Sequence, residues 1–574
     1  MKSRTLMWIT GALFAALAVP LRPAILATLV CVLSVTSFAS GPIYGPFTAK
    51  EVGHYTPVYG YSYHVLSPTG SYTRSFEGMD ANTQPTFDLD PNGAVGKKQY
   101  LQWVNSRLQP FDKTTGGKIW CLTSSCTTPE DSDWSNNFWY GNQSGPIKEC
   151  AAGSYAEGDG VVIYDRVDSV WVVMHRVYVN NSGVTNYYMC VAVSSGDDLS
   201  STSTVWHMYE YPLDSVLPRD KNNNYFFPDY PKISSWANGH FVLEFDMEDA
   251  SNHYGIAGFM TCLLDKTNML AGNTTTAMKC EQFSPSYSYP SSSYTHPSLI
   301  HTALPADVDG ATPPSRGSSA YFLATVNPGN LTTGVPCTVM PCTSTRLAFF
   351  KMSPSGVLTG PTYITSRPFT PGCYQTKNPA STICVPEPAS ASTGIYLESL
   401  GDRLMNRLAW RMIGSVPHLV TAQTVDVNPS GVDREGIRYY NIVNPGSTPT
   451  IDQQGTISNL NYSLFMPSIA MDSGGNMGVT YSRSSASSHP SLWFVVVSSN
   501  NVIGTRVQII AGAADNESCN NWGDYVSTAI DPSDDLSWWA VGEYFNTAQT
   551  GACSSSGRAT FQTRIFTCKK GTGC

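Results

Sequence analysis

One three-part phrase recurs along the chain and limits what it can fold into. It is a short apolar strand, an Asp-bearing turn, and a second strand that carries a large aromatic. It reads VVIYD-RVDS-VWVVMHRV from residue 161, SIAMD-SGGN-MGVTYSRS from 468 and STAID-PSDD-LSWWAVGEYF from 527. Looser versions are PTFDLDPNGAVGKKQYLQWVN, DYPKISSWANGHFVLEFDM, HPSLIHTALPADVDGATPPSRGSSAYFLATV and GDRLMNRLAWRMIGSVPHLVTAQTV. An Asp at a strand end accepts backbone N–H bonds across the turn, and Gly or Asn then supplies a positive φ. The Trp, Tyr or Phe that follows brings a large apolar area to a neighbouring sheet. A lone four-stranded sheet cannot bury both faces, so such units have to stack on one another.

About seven such units fit between Phe87 and Phe566, each of roughly 50–70 residues, within the range of propeller blades that carry loop insertions. The predicted fold is all-β: a single β-propeller of about seven four-stranded blades, six or eight being also compatible, with disulfide-stapled loops. A row of β-sandwiches would show units of about 100 residues joined by linkers, and no such linker is apparent. KKQYLQWVNSRLQ has helical periodicity but also alternates as a strand. ESLGDRLMNRLAWR is assigned to a buried strand because MIGSVPHLVTAQTVDV supplies its partner. The expected organisation is a secretion signal over 1–39, an extension over 40–85, the propeller over 86–568 and a tail over 569–574.

The segments DPNGAVGKKQYLQWVN, DGVVIYDRVDSVWVV, LGDRLMNRLAWR, SIAMDSGGNMGVTYS and NWGDYVSTAIDPSDD resemble those of secreted bacterial sialidase-like β-propeller proteins of the Asp-box type. The resemblance spans nearly the whole mature chain and implies architecture first. The sequence holds no Phe/Tyr-Arg-Ile-Pro near its start and no Ser-x-Asp-x-Gly-x-x-Trp box.

Charge narrows the partners. Only 13% of the 574 residues are charged and the net charge is −9, against about 25% charged in ordinary globular domains. No lysine and arginine field is available to neutralise a phosphate backbone, so nucleic acid is not expected. The basic start MKSR and two apolar stretches ending in Ser37-Phe38-Ala39 read as a secretion signal. Each stretch is shorter than the ~20 residues of a membrane span, so no membrane association is expected after cleavage. A secreted or cell-surface monomer follows. Fifteen cysteines without Cys-x-x-Cys or Cys/His clusters point to disulfides rather than to metal ligands. Sequence proximity suggests Cys121 with Cys126, Cys262 with Cys280, Cys337 with Cys342 and Cys373 with Cys384, while Cys519 and Cys553 bracket the last phrase and Cys568 and Cys574 close the chain. No catalytic metal or cofactor is expected. ADVDGAT, with Asp307 and Asp309, is a candidate half-loop for structural calcium, but it lacks the distal Glu.

A propeller gathers the entry residues of its innermost strands at one mouth. Those positions are Asp159, Asp229 with Tyr230, His296, Asp402 with Arg403, Met466, and Trp522 with Asp524. Glycan hydrolysis needs two carboxyls on either side of a sugar, about 5–9.5 Å apart, and Asp159, Asp402 and Asp524 are the catalytic candidates. Arg403 and Arg407 match an acidic sugar as bidentate forks. Tyr230 and Trp522 are candidates to stack on a ring, and Asp229 and His296 to bind substrate. Asp165, Asp472 and Asp531 are expected to support turns at the opposite strand ends. Glu543 and Tyr544 in GEYF are a further acid and nucleophile candidate, read as pointing outward. The expected activity is therefore a glycoside hydrolase acting on polysaccharide or glycoconjugate. The alternative is a non-catalytic propeller that binds glycan or protein.

Overall fold

The computed structural model describes residues 44–55, 74–80, 90–105, 107–120, 138–139, 149–150, 159–181, 184–201, 203–220, 222–249, 256–273, 275–284, 299–330, 335–337, 342–373, 382–429, 431–548 and 560–571. The expected signal, the Cys121–Cys126 pair and His296 lie outside these residues. Among the described residues of the unit Ser40–Cys574 the structure is all-β, and its short helices include Lys266–Leu270 and Ser390–Thr393.

Among the described residues the strands form seven antiparallel meanders. The first is Pro91–Val95, Gln99–Val104 and Arg107–Asp112. The second runs Val161–Asp165, Val170–Asn181, Val184–Ser194 and Trp206–Pro212. The third is Phe227–Trp236, His240–Glu248, Ile256–Asp265 and Thr275–Phe283. The fourth comprises Leu304–Val308, Ala320–Thr325, Ser344–Met352 and Leu358–Pro371. The fifth follows as Leu404–Ile413, Val416–Asp426, Glu435–Val443 and Thr450–Ile457. The sixth is Ser463–Met471, Met477–Ser485, Ser488–Val497 and Val507–Ile510. The seventh holds Ser527–Ile530, Ser537–Phe545 and Phe561–Lys569. KKQYLQWVNSRLQ is thus strand rather than helix, and LMNRLAWRMI is the strand expected of it.

Hydrogen bonding does not keep all the meanders separate. The fourth and fifth join through a parallel pairing of their first strands, and Tyr44–Tyr55 inserts between the last strands of the second and third. Arg74–Asp80 pairs with Phe561–Lys569 and completes the seventh meander from the opposite end of the chain. The segment 40–85, expected as a mere extension, therefore supplies two strands. Its partners lie hundreds of residues away, so no local spacing announces it.

Each first strand adjoins the first strand of the next meander, and that of the seventh adjoins that of the first. Side chains stitch them together: Val162 N donates to Asn92 Oδ1 (2.8 Å), Ser235 N to Asp307 Oδ1 (3.0 Å), Thr528 N to Ser468 Oγ (3.0 Å) and Gly93 N to Ser527 Oγ (3.1 Å). A cavity between these strands is lined from six meanders, by Ala94, Val162, Lys232, Pro305, Arg407 and Ala529 among others. Within four residues of the start of every first strand sits a residue with positive φ: Asp90, Asp159, Tyr230, Thr302, Leu400, Met466 and Gly523. Six are not glycine, and such a conformation costs about 1 kcal/mol or more unless its surroundings enforce it.

The aromatic of each phrase fills the space between neighbouring meanders. Trp539 stacks on Tyr100 at 5.9 Å between the seventh and first, and Trp236 meets Tyr321 edge-on at 5.3 Å between the third and fourth. Burying one such ring contributes roughly 2–3 kcal/mol. The turn aspartates do what was expected of them. Asp165 Oδ1 accepts from Val167 N, Asp472 Oδ1 from Gly474 N and Asn476 N, and Asp531 Oδ1 from Ser533 N, all at 2.8–2.9 Å.

Disulfides join Cys262 to Cys280, Cys337 to Cys342 and Cys373 to Cys384, as proximity suggested. Cys150–Cys190 was not foreseen, because its partners are 40 residues apart. Cys519 and Cys568 are also disulfide-bonded. No helix among the described residues is long and apolar enough to cross a membrane.

Candidate functional site

The starts of the first strands carry a dense set of buried charges in two adjoining groups. The first gathers around Arg403. Its Nε and Nη2 hold Asp402 at 2.9 and 3.2 Å, its Nη1 lies 3.7 Å from Asp246, and its guanidinium sits 5.0 Å over the Tyr230 ring. His301 bridges the same two carboxylates, with Nε2 3.6 Å from Asp402 and Nδ1 3.5 Å from Asp246. Thr302 N donates to Asp246 (2.6 Å) and Ala303 N to Glu244 (2.8 Å), so the left-handed turn at Thr302 aims amides at the second strand of the preceding meander.

The carboxyls of this group titrate apart. Burial pushes Asp402 up, but Arg403 and His301 outweigh it and hold the group below its ordinary value. Burial pushes Glu248 up to about 9, reinforced by Asp229 and only partly opposed by Arg403. An acid held neutral and a carboxylate held ionised thus both feel the charge of one guanidinium.

The second group lies where the first, second and seventh meanders meet. Carboxylate oxygens of Asp90, Asp159 and Asp524 fall within 4.8 Å of one another. Asp524 N donates to Asp90 Oδ1 at 2.7 Å. Arg176 links this group to the other, with Nη2 3.1 Å from Asp159 and Nη1 3.1 Å from Asp229. Asp159 can lie so close to the first meander because Gly160 follows it. A Cβ on Gly160 would meet Trp103 Nε1 at 1.8 Å. Burial, then the charges of Asp90, Glu398 and Asp159, push Asp524 well above the carboxylate range. Beneath both groups Tyr230 and Tyr525 stack at 5.2 Å. Lys232 sits 3.0 Å over the Tyr230 ring and donates to Tyr525 Oη at 3.0 Å. Burial brings Lys232 down to about 7, although Asp159 and Glu244 favour its charge.

Six of the nine expected site residues share these groups: Asp159, Asp229, Tyr230, Asp402, Arg403 and Asp524. The others depart. Arg407 lies deeper along its strand, where it grips Asp307 (2.8 Å) and Asp309 (3.1 Å). Its guanidinium also occupies the place the calcium half-loop was expected to offer a cation. Trp522 is fully buried between Phe465 and Phe545 and donates to Ser482 Oγ, so it offers no face to a sugar. Tyr230, too, is buried beneath the charges, and Met466 is core. Glu543 and Tyr544, read as pointing outward, are both buried. His296 lies outside the described residues, while His301, five positions later, stands in the site.

Asp90, Arg176, Asp246, Glu248 and His301 escaped sequence reasoning. Asp90 alone had a usable signal, since it precedes the first strand of a phrase already recognised. Arg176, Asp246 and Glu248 lie on second strands, where no entry rule applies.

No family model matches this chain, and no curated protein does. Solved structures similar to it include a polysaccharide lyase described as an ulvan lyase, at 9% identity, covering 82% of this chain and 93% of the lyase with a TM-score of 0.37. A Hadza microbial sialidase is 8% identical, with 87% and 69% covered and a TM-score of 0.34. An α-L-arabinanase of Penicillium chrysogenum is 8% identical, with 76% and 98% covered and a TM-score of 0.28. At such scores the likeness supports no conclusion about this chain, and its function is reasoned from its own residues.

Proposed function

We propose that the seven meanders are the blades of one β-propeller, sialidase-like in architecture, and that the exported protein hydrolyses extracellular polysaccharide or glycoconjugate at the mouth of its channel. Glu248 is the acid and Asp402 the base. The observation that supports this is the opposite displacement of two carboxyls that both feel the charge of Arg403, the arrangement by which one site keeps a proton donor and a proton acceptor at the same pH. Glu248 gives its proton to the glycosidic oxygen as the bond to the anomeric carbon breaks. Asp402 takes a proton from the water that attacks that carbon. His301 and Arg403 hold Asp402 ionised and oriented, and Asp229, a third exposed, is placed to accept sugar hydroxyls. Arg403 was expected to grip an acidic sugar. Its engagement with Asp402 and Asp246 favours a substrate without a carboxylate at this position. Asp402 thus keeps the catalytic role expected of it, and Asp159 and Asp524 are left for another.

The test is product release from a panel of neutral, amino and acidic polysaccharides by the disulfide-bonded mature chain, alongside Glu248→Gln and Asp402→Asn. Each variant is expected to lose about 10²–10⁴-fold in kcat with little change in binding. Release that survives both substitutions overturns the assignment. Binding without release by the unaltered protein points instead to a non-catalytic glycan-binding propeller.

A further inference from the structure

We propose that Asp90, Asp159 and Asp524, with Glu543, form a binding site for a divalent cation of the calcium class. This stands apart from the glycan reading and uses none of its acid–base residues. Calcium takes oxygen ligands at about 2.3–2.6 Å, so two ligands facing each other across the ion are up to about 5 Å apart. Three carboxylate oxygens, all within 4.8 Å of one another, lie inside that span. Proximity of acids alone would not suffice.

The second observation is Glu543. It is 1% exposed, and neither of its carboxylate oxygens has a hydrogen-bond partner. Its strand, Ser537–Phe545, pairs with Ser527–Ile530, the strand that Asp524 leads into. In that pairing Ser527 stands opposite Val541, which brings Glu543 level with the entry that carries Asp524, and the negative charges of Asp90 and Asp524 act on it. A buried carboxyl with no partner, under the charge of two further carboxylates, is a costly arrangement. A dication removes that cost, because it converts mutual repulsion into shared ligation.

The frame is also fixed as a metal site requires. The hydrogen bond from Asp524 N orients the Asp90 carboxylate. Arg176 takes Asp159 Oδ2 and is shared with Asp229, while the charges of Lys232 and Arg403 also act on Asp524. The three aspartates come from the entries of the seventh, first and second meanders, which are neighbours across the place where the last meander returns to the first. A cation there ties the closure together.

The experiment uses the disulfide-bonded mature chain, stripped with EDTA and titrated with calcium chloride by calorimetry at pH 7, with magnesium chloride as comparator and thermal unfolding as a second readout. One calcium per chain is expected, with a Kd on the order of 0.1–1 mM, as in extracellular calcium modules. Tm should rise with added calcium, and protons should be released, seen as a heat that depends on the buffer. Asp90→Asn and Glu543→Gln should each weaken binding about tenfold or more. If Asp90→Asn does not fold, terbium luminescence sensitised by Tyr525 in the unaltered protein and in Glu543→Gln decides the matter. The absence of binding and of any Tm change up to about 10 mM calcium, well above the expected range, overturns the site. Undiminished affinity in either variant, or terbium emission unchanged in Glu543→Gln, does the same.

Discussion

The backbone amide of Asp524 donates to the Asp90 carboxylate at 2.7 Å, across 434 positions of sequence. The contact fastens the entry of the last meander to the entry of the first, and the consequences of that meeting can be measured.

Removal of the chain up to residue 80 takes away Arg74–Asp80, together with the Arg564–Glu77 ion pair and the bond from Thr563 Oγ1 to Met79 O. Phe561–Lys569 becomes an open edge strand, a template for association. We expect this truncation to lower Tm by more than 10 °C on the order-of-magnitude relation between stability and Tm, and to form oligomers on size-exclusion chromatography.

Arg176→Met leaves Asp159 buried beside Asp90 and Asp524 without its guanidinium. Loss of one partner of a buried pair costs roughly 3–5 kcal/mol, and most of it should arise at Asp159, because Asp229 is a third exposed. Urea unfolding at pH 7 should show the loss, and a lower pH, which protonates the carboxylates, should shrink it.

His175 lies between the rings of Trp103 (5.4 Å) and Trp139 (5.0 Å), and neither of its ring nitrogens has a hydrogen-bond partner. Burial, aided by Arg176, lowers it to about 3. The unfolded chain takes up this proton near pH 6.5 and the folded chain near pH 3, so between those values the unfolded state binds more protons. Stability is complete above pH 6.5 and falls as pH drops towards 3, by about 1.4 kcal/mol per unit from this group. His175→Phe should flatten that slope in denaturant midpoints taken from pH 7 to pH 4.

Gly160→Ala puts a methyl group against the Trp103 indole, which donates to Asn105 O. Overpacking of this kind costs about 1–3 kcal/mol. Trp103 fluorescence and Tm should both shift, while Gly196→Ala, where an added Cβ has only Thr204 Oγ1 at 3.8 Å, should change neither.

Most of the fold could be read because its signals are local. An Asp closing one strand and an aromatic opening the next fall within a dozen residues, as at Asp165 and Trp171. The entry rule found Asp159, Tyr230, Arg403 and Asp524 because a strand start is also a mouth position. It failed at Arg407, which is four residues past Arg403 and sits within the register shift between Met405 and Ala409, so its side chain turns to Asp307 and Asp309. It failed at Trp522 because the large apolar ring that could stack on a sugar serves equally well in a core. Strand Arg74–Asp80 and the Cys150–Cys190 bridge depend on distant pairing, which leaves no mark in spacing.

Strand Arg74–Asp80 is made early and used last. During synthesis it can touch the first meander, as Met79 N does Gln102 Oε1, but its ladder waits for residues 561–569, so six meanders can pair internally before the seventh is complete. A chain interrupted before that point keeps a strand without its ladder, an edge open to association. Translation of residues 561–569 is therefore the event that lets the seventh meander close.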